Sequence, residues 1–210
     1  MNTLSISEGQ GQPAKLSYSA FSLDKVRKKF GIEIAAGKLF AGVSPVAPTE
    51  WLQASLQRAR TISLISEKAR SEFIVAPILL ELKERLNNQI SIYSGARLDV
   101  APEEGLQGVC DFIVSRGPPL PTLRAPLLVM VEAKKNDIEE GLGQCAAEMI
   151  AAQRFNAEEG QLGTTMYGCV TTGELWQFLQ LADTTLVIDS DRLYIEHVDR
   201  ILGVLIKMAT

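Results

Sequence analysis

The stretch Leu127-Leu-Val-Met-Val-Glu-Ala-Lys134 decides the fold. It is apolar without a break until Glu132, the pattern of a strand buried on both faces. Asp137 follows and can cap a helix to about Asn156, with Ile138, Leu142, Cys145, Met149 and Ala152 at helical spacing. Upstream, Ile90–Val100 and Gly108–Ser115 read as two strands around a turn with Pro102 and Gly105. Before them, Ser66 caps a helical stretch to about Leu86, striped with Phe73, Ile74, Ile78 and Leu82. Pro77 marks a kink or a boundary in it. Downstream, Tyr167–Thr171 and Leu175–Leu181 form a strand pair around Thr172-Gly173-Glu174. Thr185–Ile188 and Leu193–Ile195 are two further strand-like segments, and a final helix carries Val198, Ile201, Leu202 and Leu205. This order predicts an α/β fold, a mixed sheet flanked by helices.

Three parts follow along the chain. Residues 1–14, with Gly9-Gln-Gly-Gln-Pro13, read as a flexible tail. Residues 15–62 read as an N-terminal helical extension. In it Ser22 caps a helix to Phe30 that Gly31 stops, and Thr49 caps a second with Trp51, Leu52, Leu56 and Ala59 on its apolar side. Residues 32–48 between them read as irregular. Residues 63–210 form the main domain.

The chain has 210 residues, enough for one sizeable core. Its 46% hydrophobic and 22% charged residues exclude wholesale disorder. No apolar run is long enough to span a membrane, and the first residues lack the basic and apolar regions of a secretory signal. Cys110, Cys145 and Cys169 show no metal-ligand spacing and fit reduced thiols in a cytoplasmic protein. The net charge of −4 argues against a general nucleic-acid coat protein. That charge is unevenly spread. Residues 1–90 hold 12 Lys/Arg against 8 Asp/Glu, whereas residues 91–210 hold 9 against 17. An acidic partner is therefore expected to meet the first part, where Lys25-Val-Arg-Lys-Lys29 is the densest basic cluster. A solvated helix face explains the same cluster.

Along a strand, Glu132 and Lys134 point the same way. Asp111 lies in a second apolar strand, where a carboxylate is costly unless it is paired or binds a cation. Two carboxylates from neighbouring strands suit Mg²⁺, and a lysine beside them can orient or deprotonate a water. A plain Asp111–Lys134 ion pair accounts for the same residues without a metal. His197, the single histidine, has no ligand partner by spacing and reads as a surface or helix-start residue. Trp51, Trp176 and Phe178 read as core. Glu139, Glu140 and Glu148 read as the solvent face of their helix, the first two suiting its dipole.

Gly108-Val-Cys-Asp111, Val131-Glu-Ala-Lys134 and Gly141-Leu-Gly-Gln144 together resemble the PD-(D/E)XK nuclease superfamily, the restriction-endonuclease-like fold. The resemblance spans roughly residues 66–182 and is nearest to the N-terminal nuclease-like domains of type I restriction enzymes. Met166–Phe178 is similar to the strand-turn-strand after the catalytic helix there. The whole chain also resembles a group of uncharacterised bacterial proteins common in cyanobacteria. The resemblance implies Mg²⁺- or Mn²⁺-dependent hydrolysis of DNA phosphodiesters. It implies Asp111 and Glu132 as metal ligands, completed by the Ala133 carbonyl, with Lys134 on the water and Gln144 near the site. The helix acid it implies maps to Glu72, with Glu81 as rival. Cys110 stands where that family often has proline. Homodimers are common in the family, and specificity would come from a partner protein, from dimerisation or from residues 15–60. The alternative is a catalytically inactive scaffold or interaction module that kept the fold.

Overall fold

The computed structural model describes residues 16–210; the tail expected over residues 1–14 lies outside them. The decisive stretch forms strand β4, Leu127–Ala133, buried at every position. It sits in a seven-stranded sheet with β2 (Ile90–Arg97), β3 (Val109–Arg116), β5 (Met166–Thr171), β6 (Leu175–Ala182), β7 (Thr185–Tyr194) and β1 (Glu33–Gly37). Their order across the sheet is β1-β7-β6-β5-β4-β3-β2. The pairs β4–β5 and β1–β7 are parallel and the rest antiparallel, so the sheet is mixed.

A parallel neighbour cannot be reached by a tight turn. Helix α5, Ile138–Glu158, makes the crossing from β4 to β5 and covers one face of the sheet. Asp137 caps it by accepting the Glu139 N–H. Helix α1, Leu23–Phe30, packs on α5, with the Ser22 side chain as N-cap and Gly31 left-handed at the stop. On the other face lie α2 (Glu50–Ala59), α4 (Ala76–Arg85) and α6 (Val198–Ala209). Each face has its own apolar core, so β4 is coated on both sides.

Three expectations need correction. Residues 15–62 are not only helical, because Glu33–Gly37 leaves the irregular stretch to join the sheet edge beside β7. Tyr18, Phe21 and Val26 also belong to the α5-side core. The two strand-like segments after residue 184 are one strand, β7, whose register with β6 shifts between Gln177 and Leu179. Trp51 is 47% exposed, unlike Trp176 and Phe178, which are core residues.

The helical stretch from Ser66 is interrupted in a definable way. A short α3, Glu67–Arg70, runs into a π-turn at Ser71–Val75, where the Ala76 N–H bonds back to the Ser71 carbonyl. Pro77 stands in the first turn of α4. It has no N–H to give the preceding turn, and the wider turn absorbs that break.

Gly143 fixes how closely α1 lies on α5. A Cβ there would stand 2.5 Å from the Phe21 carbonyl and the Ser22 backbone. Backbone cannot step aside as a side-chain tip does, so Gly143→Ala must push the two segments apart. We expect a loss of about 1–3 kcal/mol, the range for overpacking. A thermal melt at the wild-type Tm would show this contact to be looser than described.

Candidate active site

The last registered pair of β3 and β4 is Phe112–Val131. Asp111 and Glu132 are the next residue on each strand. Beyond that pair the strands part, and the Ala133 N–H donates to Asp111 Oδ2 at 2.8 Å. A carboxylate thus takes the place of a backbone acceptor. Across β3 on its other side stands Gly95, between the pairs Ser94–Phe112 and Ala96–Cys110, with a φ of 63°. That conformation favours glycine. Cys110 packs in the α5-side core and Phe112 in the opposite one. A regular strand would put both on one face, so β3 turns at Asp111. The turn leaves Asp111 in a cleft of about 310 Å³, shared with Glu67, Lys68, Glu72 and Phe112.

Behind the cleft a hydrogen-bonded chain runs from β4 to α5. Lys134 Nζ donates to Glu132 Oε1 at 2.6 Å and to Gln144 Oε1 at 3.0 Å. Gln144 Nε2 donates to Glu148 Oε1 at 3.1 Å. Gly141 lets α5 lie over the Lys134 stem, since a Cβ there would meet Val170 at 2.5 Å and Lys134 Cγ at 3.0 Å. The second oxygens of Glu132 and Glu148 are buried with no partner but each other, and a carboxyl proton on Glu148 bridges them.

Asp111 and Glu132 thus stand beside one ammonium, with Glu148 behind Gln144, and their acidities reflect it. Burial, reinforced by the Asp111 charge, pushes Glu132 up to about 7 although Lys134 pulls it down. Burial also raises Asp111, against the Ala133 N–H and Lys134. Glu148 is held well above the carboxylate range by burial and by Glu132. Burial alone would lower Lys134, but the Glu132 ion pair outweighs it and the net shift is upward. Lys134 is thus an ammonium near neutrality.

The rival helix acids separate cleanly. Glu81 is fully buried among structural partners. It accepts from the Thr49 N–H and hydroxyl, and its Oε1 pairs with Arg85 Nε at 2.9 Å. Glu72 is exposed on the rim of the Asp111 cleft, 3.7 Å from Lys68 Nζ. Glu67 shares that cleft, and its charge is among those that raise Lys134. Glu67, at the start of α3, and Glu72, in the π-turn that follows it, both line the cleft. Arg70 anchors this helix over the sheet, donating to the Leu64 carbonyl at 3.0 Å and the Thr172 carbonyl at 2.7 Å.

Sequence reasoning missed two of these acids. Glu148 is not on the solvent face expected for it; it is fully buried beside Glu132, while Glu139 and Glu140 are exposed. Its spacing carried the signal, for Glu148 lies four residues from Gln144 and nine from Glu139, half a revolution round the helix. Glu67 was hidden by its place in a first turn, where an acid also suits the helix dipole. Lys135 is exposed, and His197 is an exposed residue at the start of α6. In the basic cluster, Asp24 pairs with Arg27 and Lys28, and Lys25 Nζ donates to the Ala20 carbonyl.

No family model matches the chain, and no curated protein matches it. Among the described residues, no three His, Cys, Asp or Glu side chains are grouped as metal ligands. None of the helices described is long and apolar enough to cross a membrane. Cys110, Cys145 and Cys169 are buried free thiols.

Proposed function

We propose that the chain is a Mg²⁺- or Mn²⁺-dependent nuclease with a restriction-endonuclease-like core, hydrolysing DNA phosphodiesters. One observation carries this reading: a half-buried Asp111 and a buried Glu132, on neighbouring strands, stand together beside Lys134, and Glu148 is buried against Glu132. Such an excess of buried negative charge fits a divalent cation. Asp111 and Glu132 would hold it, with the Ala133 carbonyl, and it would stabilise charge on the phosphoryl oxygens and the leaving group. An ammonium has three donors, and Lys134 spends two on Glu132 and Gln144. Its third can orient the attacking water or meet a phosphate oxygen. As a cation, Lys134 positions and stabilises rather than removing the proton. Glu67, Lys68, Glu72, Ser94 and Gly95 on the cleft rim are exposed, which suits a polymer better than a small nucleotide.

The absence of a three-acid ligand group among the described residues favours a second reading, an inactive scaffold of the same fold. Incubating the full chain with plasmid, linear and single-stranded DNA, with Mg²⁺, Mn²⁺ or chelator, separates the two. Metal-dependent cutting is expected. Intact substrates throughout would leave the scaffold.

The acidities add a prediction about metal and pH. Glu132 keeps its proton to about pH 7 in the folded chain but loses it near its ordinary 4.5 when unfolded. The folded state then binds more protons, and metal-free stability falls as pH rises through that window. A cation must displace the same proton. Mn²⁺ should therefore raise the Tm more at pH 8 than at pH 6. Equal shifts would place the ion elsewhere.

A further inference from the structure

We infer that residues 65–73 are a strap over the Asp111 cleft, latched by Arg70 to the turn between β5 and β6, and that release of the latch admits the DNA strand. Admission of DNA rests on the nuclease reading; the latch does not. No residue of this segment is buried, and Ile65 is 73% exposed. Ile74 and Val75, which follow it, are core residues. The change falls inside the π-turn, Ser71–Val75, a local widening of the helix that suits a hinge. At the other end, Leu64 packs against the same core. A segment that buries so little apolar surface opens locally at small cost unless polar contacts hold it.

Arg70 supplies that hold. Its side chain is only 16% exposed. Its Nε donates to the Leu64 carbonyl, just before the strap, and a terminal nitrogen donates to the Thr172 carbonyl, on the sheet. Glu174 Oε1 stands 3.8 Å from the same nitrogen. The catch is itself braced. Thr171 Oγ1 accepts the Gly173 N–H and donates to the Leu175 carbonyl, and the Thr171 carbonyl accepts the Lys134 N–H at 2.8 Å. The latch thus closes on the turn that also holds the Lys134 backbone. The shut strap presents Glu67 and Glu72 to the cleft against one ammonium, that of Lys68. A phosphate approaching Asp111 meets like charge there, which opposes binding. Swinging the strap aside on the π-turn removes that charge from the path.

Two variants of the full chain test this. Arg70→Gln removes the guanidinium. Amide hydrogen exchange, read by mass spectrometry, should then speed in residues 65–73 by on the order of 10–100-fold, the loss of a charge-assisted hydrogen bond. Exchange in α4 and β4 should not change, and the Tm should stay near wild type. Exchange at the wild-type rate in the strap overturns the latch, as does faster exchange throughout the chain with a lower Tm. Arg70→Cys with Gly173→Cys makes a lock. A Cβ at Gly173 would stand 3.6 Å from the Arg70 Cβ, within disulfide reach, and the native thiols are buried. Reduced, this variant lacks the latch; oxidised, with the bond confirmed by mass, its strap is shut. With Mg²⁺ the oxidised form should cut DNA at least about tenfold more slowly than the reduced form, the cost of depleting the open state. Dithiothreitol should restore the rate. Equal rates in the two forms overturn the gating. If neither the wild type nor the reduced form cuts DNA, the nuclease reading fails, and hydrogen exchange still decides the latch.

Discussion

Lys134→Met should lose DNA cleavage by on the order of 10²–10³-fold, the cost of removing one preorganised charge stabiliser. Methionine keeps most of the volume, so the change isolates the ammonium. In the native site that ammonium is paired with Glu132 and feels the Asp111 charge, and its side chain is only 17% exposed. Its removal has two consequences. On the proposed nuclease reading a reacting phosphate would lose the third donor, and Glu132 loses its 2.6 Å partner. Glu132 is then expected to hold its proton to still higher pH. The variant should thus remain folded while losing affinity for Mn²⁺ as well as rate. Asp111→Asn should lose cleavage comparably, since an amide keeps the reach to the Ala133 N–H but not the charge. Cleavage assays beside circular dichroism check both. Cutting at the wild-type rate by either variant would remove this site from the chemistry.

The second large effect concerns stability and lies at the far end of β4. Asn156 on α5 is fully buried. Its Oδ1 accepts the Leu127 N–H at 2.7 Å, and its Nδ2 donates to the Leu127 carbonyl at 2.8 Å. Here the β3–β4 register shifts between Val114 and Ser115. The side chain does for the first residue of β4 what a regular strand neighbour would do. Asn156→Ala orphans a backbone donor and an acceptor in the core, at about 1–3 kcal/mol each. Native domains have only about 5–15 kcal/mol in total. Urea unfolding should show a much lower midpoint with an unchanged slope. A loss under about 1 kcal/mol would mean that another group takes over both bonds.

The elements that the sequence exposes most plainly are those set by local chemistry. Ser22, Thr49, Ser66 and Asp137 each accept a backbone N–H at the helix start expected for them. The unbroken apolar run of β4 forecasts a strand with a core on each side. Asp111, Glu132 and Lys134 were nameable because a charge inside or at the end of an apolar strand stands out, whereas Gln144, an uncharged helix residue, was named only through the family resemblance. What stayed hidden depends on distant partners. Glu33–Gly37 alternates poorly and is a strand only because β7 lies alongside. The π-turn is signalled by nothing but Pro77. Glu72 and Glu81 are equivalent in the sequence, and only the positions of Thr49 and Arg85 assign Glu81 to structure.

The pairing of β1 with β7 sets an order of events during synthesis. Glu33 lies opposite Thr185, and Gly37 opposite Asp189. Among the described strands, β1 therefore leaves the ribosome well over a hundred residues before its neighbour β7. Closing a loop of that length is a slow, entropically costly step. In the meantime Ile34 and its unpaired backbone are open to strands of other chains, the hazard of every exposed edge.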